Sequence, residues 1–164
     1  MKIKELIYII VYFILFIILE IVHDNSSIRL LEIFNLSIIP ILISSYHLGV
    51  RKTLGVCLFV VIFEYIFGSM YTGSIIELLV RYVMGISVYA FASYFPNYKY
   101  FYSGILISNL GSYILCIISD TLVYQGHIIE SMMYNMIYYV PTLLLTIICI
   151  PILIKLLLPY FYNK

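Results

Sequence analysis

The sequence predicts an all-α membrane protein with six transmembrane helices and both termini in the cytoplasm. Of its 164 residues, 64% are hydrophobic and only 10% are charged, and the mean hydropathy is +1.10. A soluble domain of this size needs far more polar surface. A bilayer core of about 30 Å takes about 20 apolar residues per helix. The chain has room for six such helices and little else, so we predict a single transmembrane domain over residues 1–164.

Polar patches and turns divide the apolar sequence into the six predicted helices. They run over Leu6 to Val22, Leu30 to Tyr46, Thr53 to Tyr71, Ile75 to Phe95, Tyr100 to Tyr124 and Ser131 to Leu158. We expect kinks at Pro40, in the middle of helix 2, and at Pro141 and Pro151 in helix 6. The basic-then-apolar start resembles a signal peptide but lacks a small-x-small cleavage site, which favours a retained first helix.

The basic residues predict the orientation. With the N-terminus inside, Arg29 alone lies at the outer surface and Arg81 lies within a span. All the others fall on the inner side: Lys2, Lys4, Arg51, Lys52, Lys99, Lys155 and Lys164. This is the positive-inside distribution, and it predicts a multi-pass protein of the plasma membrane with cytoplasmic termini.

The acidic residues follow the opposite distribution. Every acid except Glu5 falls in the outer half of the predicted bundle, while the inner half is almost entirely aliphatic and aromatic. A charge inside a membrane span costs roughly 2.5–3.5 kcal/mol on insertion scales, so such residues usually have a use. The asymmetry predicts a water-accessible pocket that opens to the outside, rather than a pore through the membrane.

Helix 4 carries the main candidates for a binding site. Glu77 and Arg81 are four residues apart, so they share one face of an α-helix and can pair. Two interpretations stay open: the pair only holds helix 4 against a neighbour, or Arg81 offers its planar donor fork to a ligand while Glu77 orients it. Tyr82 follows directly and offers a ring for stacking or packing.

Further candidates come from the other helices. Glu64, on helix 3, faces the same space or pairs with Arg81 across the helices. Asn135 is an amide inside helix 6, where amides either join helices or line sites. Asp120 and Glu130 bracket the outer connection between helices 5 and 6. Since the sequence contains 18 tyrosines and no tryptophan, tyrosine must supply any aromatic wall of a pocket.

The sequence gives no support for catalysis. It has no Ser/His/Asp order, no HExxH and no phosphate-cradling glycine loop. The three cysteines stand singly in apolar segments, without metal-ligand or CxxC spacing. We therefore expect no enzyme activity, no metal, no cofactor and no nucleic-acid partner.

Three segments carry a resemblance to a known family. They are IIPILISSYHLGVRKTLGV (Ile38 to Val56), LLVRYVMGISVYAFASYF (Leu78 to Phe95), and YILCIISD (Tyr113 to Asp120) followed by MMYNMIYYVPTLLLTII (Met132 to Ile148). Together with six helices in so short a chain, they resemble the substrate-binding S components of energy-coupling factor vitamin transporters, and most closely the thiamine-specific branch. The resemblance is diffuse and covers about two thirds of the chain.

The resemblance implies uptake of a vitamin or similar small solute from outside the cell. Energy would come from a coupling module of two ATPases and a transmembrane subunit. Tyr82 then falls on a ligand-stacking tyrosine and Asn135 on a ligand-contacting asparagine, while Glu130 lies near a family tyrosine. Arg81 stands where the thiamine branch has an acid, so a ligand with a carboxylate or phosphate fits better than thiamine. Helix 1 also lacks the small-xxx-small pattern that S components use for docking.

The alternative is a membrane scaffold. Rod-shape-determining membrane proteins of the cell-wall elongation complex also have about six short helices, and they bind no small molecule. A scaffold needs no buried charge cluster at its outer face, whereas a solute binder does. The outer acids and Arg81 therefore favour the binder.

Overall fold

The computed structural model describes residues 3–24, 34–67, 74–98, 101–125 and 127–162. Within these ranges the chain is almost entirely helical. The helices are α1 (Ile3–Asp24), α2 (Ile38–Leu48), α3 (Val50–Phe67), α4 (Ile75–Tyr94), α5 (Ser103–Tyr124) and α6 (Ile128–Tyr162). Two short strands, β1 (Asn97–Tyr98) and β2 (Phe101–Tyr102), lie between α4 and α5.

Four of the described helices are long and apolar enough to cross a membrane, namely α1, α4, α5 and α6. The other two fall short by this measure. α2 is apolar but has only 11 residues. α3 has 18 residues and carries Arg51, Lys52 and Glu64. The fold is therefore that of a helical membrane protein.

α2 starts later than its hydropathy predicts. Residues 34–37 form a bend and turn, and the helix begins at Ile38, so Pro40 lies in its first turn rather than in its middle. A proline is well tolerated there, because the first backbone N–H groups of a helix have no intrahelical acceptor. The kink expected at Pro40 is thus replaced by a helix start. The predicted residues 30–33 lie outside the described ranges.

α4 is continuous but irregular. It begins as an α-helix capped by the Ser74 hydroxyl, which accepts from the Glu77 N–H at 3.2 Å. It widens into a π-helix over Leu78–Met84 and tightens into a 3₁₀ helix over Val88–Tyr94. π-helical turns are rare overall, but those that occur are often found at functional sites. This turn carries Arg81 and Tyr82.

The α4–α5 connection differs from the prediction of a simple turn followed by a helix from Tyr100. β1 and β2 pair in antiparallel register, with Asn97 opposite Tyr102 and Tyr98 opposite Phe101, and α5 begins only at Ser103. The two-stranded pairing satisfies backbone groups where the chain reverses.

α6 is longer than predicted at both ends. It has 35 residues, and the helix continues through Pro141 and Pro151. At 1.5 Å per residue it is about 50 Å long, more than the roughly 30 Å of a hydrocarbon core.

α2 forms the centre of the bundle. It packs against α1, α3, α4 and α6, and seven of its 11 residues are buried. Ser45 ties it to α4: its hydroxyl donates to the Ala90 carbonyl at 2.7 Å and accepts from the Ser93 N–H at 3.0 Å. Around this centre, the outer faces of α1, α5 and α6 expose large aliphatic side chains, as lipid-facing surfaces do.

Candidate functional site

A cavity of about 410 Å³ lies at one end of the bundle. Its lining comes from the C-terminal halves of α1 and α3, the N-terminal halves of α2 and α6, and the central parts of α4 and α5. Each of the six described helices contributes to the lining, for example through Glu20, Ile38, Glu64, Arg81, Ser112 and Asn135. This is the end that the basic residues assign to the outside.

Tyrosines form much of the cavity wall. Tyr82 and Tyr89 line it from α4, Tyr113 from α5, and Tyr134, Tyr138 and Tyr139 from α6. The rings of Tyr113 and Tyr139 stack with their centroids 4.5 Å apart and their planes 23° apart. The aromatic wall that the composition predicts is thus built mainly from α6. Such a wall offers flat apolar surface together with hydroxyl groups.

A chain of charged and polar groups crosses three helices beside the cavity. Arg81 Nη1 of α4 donates to Asp120 Oδ1 of α5 at 2.6 Å. The other carboxylate oxygen, Asp120 Oδ2, accepts from Asn135 Nδ2 of α6 at 2.7 Å. Arg81 and Asn135 line the cavity, whereas Asp120 lies behind them and is buried. Asp120 therefore balances the charge of Arg81 and fixes the Asn135 amide at the same time.

This network narrows the roles predicted for two residues. The amino group of Asn135 donates to Asp120 Oδ2 and, at 2.8 Å, to the Ser131 carbonyl. Both amino hydrogens are thus used inside the protein, and the amide oxygen is the group left to face a ligand. The charge of Arg81 is likewise matched by Asp120, which weakens the expectation of an anionic ligand.

The Glu77 carboxylate makes a hydrogen bond across to α5. Its oxygen Oε1 accepts from the Tyr124 hydroxyl at 3.1 Å, and the residue is 3% exposed. Glu77 thus joins α4 to α5 beside the cavity and does not line it.

The predicted site residues therefore divide into three groups. Glu64, Arg81, Tyr82 and Asn135 line the cavity. Asp120 and Glu77 support it from behind through their hydrogen bonds. Glu130 lies in the first turn of α6, is exposed, and does not line the cavity.

Sequence reasoning missed Asn109, the most deeply placed amide of the cavity. Asn109 lines the cavity and is only 1% exposed. Its amino group donates to the Ile105 carbonyl at 2.8 Å and to the Thr146 hydroxyl at 3.2 Å. The available signal was an amide inside an apolar helix, the same signal that singled out Asn135. Glu20 and His23 of α1 also line the cavity and were not among the predicted site residues.

Fold and site together define a helical membrane protein with a polar, tyrosine-walled cavity at one end of its bundle. Comparison with protein-family models, with curated proteins and with solved structures found no match. The function is therefore argued from the cavity itself.

Proposed function

We propose that this protein is a solute-binding membrane subunit, similar to the S components of energy-coupling factor transporters. It captures a vitamin or similar small solute from the extracellular side. The observation that carries the proposal is the cavity, which combines Tyr82, Arg81 and Asn135 at one end of the bundle.

The dimensions and chemistry of the cavity support this function. Its volume of about 410 Å³ falls in the usual range for small-molecule sites, roughly 300–1,000 Å³. Such sites combine mostly apolar and aromatic walls with a few fixed polar groups. Here the wall is largely tyrosine, and the Asn135 amide is held by two hydrogen bonds. A structural scaffold has no need for polar groups fixed around an empty space.

The proposed topology has six spans with both termini in the cytoplasm of a plasma-membrane protein. Its support is the positive-inside distribution of basic residues. The cavity then opens to the outside, where nearly all the acidic residues lie.

The proposed energy source is a separate coupling module of two ATPases and a transmembrane subunit. The sequence has no phosphate-cradling glycine loop, so the chain would not hydrolyse ATP itself. Its proposed partners are the solute, the membrane lipid and this module. Release of the solute would follow reorientation of the bundle in the membrane, as the resemblance implies.

A thermal-shift screen of the purified protein against vitamins and their precursors tests the proposal. A ligand present at about 100 times its Kd adds about 2.7 kcal/mol to the free energy of unfolding. We expect at least one member of the panel to raise the melting temperature in a saturable manner. If no member does, and the protein co-purifies with cell-wall elongation proteins, the scaffold function is the correct one.

A further inference from the structure

Asn109 lies at the inner end of the cavity, in the N-terminal half of α5. The described part of the chain gives its amide two hydrogen bonds, both made by the amino group. The acceptors are the Ile105 carbonyl at 2.8 Å and the Thr146 hydroxyl at 3.2 Å. Since a backbone carbonyl only accepts, the nitrogen of the amide must face Ile105.

Thr146 reinforces this orientation. Its hydroxyl donates to the carbonyls of Thr142 and Leu143, at 2.9 and 3.0 Å, so towards Asn109 it acts as an acceptor. Thr146 is fully buried and does not line the cavity. The Thr146 hydroxyl therefore accepts from the Asn109 amino group, which is turned into the protein. The amide oxygen of Asn109, Oδ1, takes part in neither of these hydrogen bonds.

Asn109 Oδ1 receives no hydrogen bond from any described residue, although the side chain is 99% buried from solvent and lines the cavity. An amide oxygen that has no donor within the protein can accept a hydrogen bond from a solute. A packing role alone does not need a polar oxygen at this place, since a leucine has a similar shape.

We propose that Asn109 Oδ1 is a ligand-recognition point at the inner end of the cavity and that it selects solutes carrying an N–H donor on their leading end. This inference deepens the proposed solute-binding function and rests on it. The preferred class is a planar ring with an amine or amidine group. A carboxylate at that end of the solute would place two acceptor oxygens against Asn109 Oδ1.

Asn135 points to the same preference nearer the cavity mouth. Its two amino hydrogens are also used within the protein, on Asp120 and Ser131. The two amides that line the cavity from α5 and α6 thus both offer oxygen, while the third lining amide, Asn35, uses its oxygen to accept from the Ser37 hydroxyl at 2.6 Å. Arg81, the cation of the cavity lining, is paired with Asp120. Asn109 and Asn135 therefore favour hydrogen-bond donors on the solute, whereas Arg81 alone favours an anionic solute.

Three one-ring probes separate donor recognition from charge recognition. Benzamidine is a cation with N–H donors, phenyltrimethylammonium is a cation without them, and benzoate is an anion with acceptors only. Binding of each to the purified full-length protein is measured by ligand-observed NMR titration. We expect benzamidine to bind about tenfold more tightly than phenyltrimethylammonium, the effect of one well-formed hydrogen bond to a buried group. We expect benzoate to bind weakest.

In the Asn109→Ala variant, benzamidine and phenyltrimethylammonium should bind with nearly equal affinity, because the substitution removes the acceptor without introducing a clash. The matched control is Thr146→Val, which breaks the same internal hydrogen bond but leaves Oδ1 in the cavity. It should lower the melting temperature and keep the preference. If Asn109→Ala does not fold, Asn109→Ser, which restores a smaller polar side chain, takes its place and should also reduce the preference.

Tighter binding of benzoate than of benzamidine, or an unchanged preference in Asn109→Ala, would overturn the inference while leaving the solute-binding function in place. Failure of benzamidine to bind the wild-type protein would overturn it as well. The solute-binding function itself fails only if the vitamin and precursor panel also gives no stabilisation.

Discussion

The ion pair between Arg81 and Asp120 sets the electrostatics of the cavity. The two residues are 39 positions apart on different helices, and their nearest atoms are 2.6 Å apart. An isolated guanidinium in a bundle is unfavourable, and the carboxylate that neutralises it also holds Asn135. The charged residue of a span could be recognised from the sequence, because charges there are rare. Its partner could not, because that depends on which helices become neighbours.

The stability of this network can be measured with Asp120→Asn. The variant leaves the partly buried Arg81 without its counter-charge, so we expect a loss of about 1–3 kcal/mol in the free energy of unfolding. The double variant with Arg81→Gln should recover part of the loss, with a coupling of about 0.5–3 kcal/mol. Thermal unfolding in detergent gives both quantities.

The more exposed Lys52–Glu5 pair, whose side chains are 37% and 28% exposed and whose nearest atoms are 2.7 Å apart, provides the control. A surface pair of this kind contributes about 0–1 kcal/mol, so Glu5→Gln should change the melting temperature little. Strict additivity of the Arg81 and Asp120 changes would contradict the structural account of the network.

At the scale of the elements, hydropathy predicted the long helices well and the irregular segments poorly. α1, α5 and most of α6 follow from continuous apolar runs. The π-helix of α4, the strand pair before α5 and the late start of α2 at Ile38 do not, because each depends on local backbone hydrogen bonds and on packing. The π-helix matters most for the site, since it carries Arg81 and Tyr82.

The contact between α4 and α5 depends on a glycine. A Cβ atom at Gly104 would lie 1.8 Å from the Ala92 carbonyl oxygen, which is backbone and has no rotamer to move to. We therefore expect Gly104→Ala to destabilise the protein by about 1–3 kcal/mol through overpacking. The melting temperature in detergent measures the effect.

Gly55 of α3 is the matched control, because the nearest atom to its added Cβ is the Ile9 side-chain methyl at 4.0 Å. Gly55→Ala should be neutral or stabilising by up to about 1 kcal/mol, since alanine favours the helix. Equal effects of the two substitutions would show that α4 and α5 do not pack as closely as described.

At the scale of the whole molecule, the class of helical membrane protein could be predicted from composition alone. The cavity could be predicted only in part. Its end of the bundle followed from the acidic residues, and four of its lining residues were identified: Glu64, Arg81, Tyr82 and Asn135. Asn109, Glu20 and most of the tyrosine wall depend on how the helices rotate about their axes, which a uniformly apolar sequence does not specify.

The proposed orientation can be tested by cysteine labelling. In a variant with Cys57, Cys116 and Cys149 replaced by alanine, single cysteines are introduced at the exposed positions Asn97 and His127. A membrane-impermeant maleimide should label His127→Cys in intact cells, because that position lies at the cavity end. It should label Asn97→Cys only after permeabilisation. The reverse pattern would place the cavity on the cytoplasmic side.

The central claim is that the cavity holds a solute, and filling it tests this most directly. Ser112 lines the cavity from α5, whereas Ile114 on the same helix is 46% exposed and does not line it. The thermal-shift screen is repeated on Ser112→Phe and on the control Ile114→Phe. We predict that the solute that stabilises the wild-type protein also stabilises Ile114→Phe and no longer stabilises Ser112→Phe. Equal stabilisation of both variants would show that the solute binds elsewhere and would contradict the account.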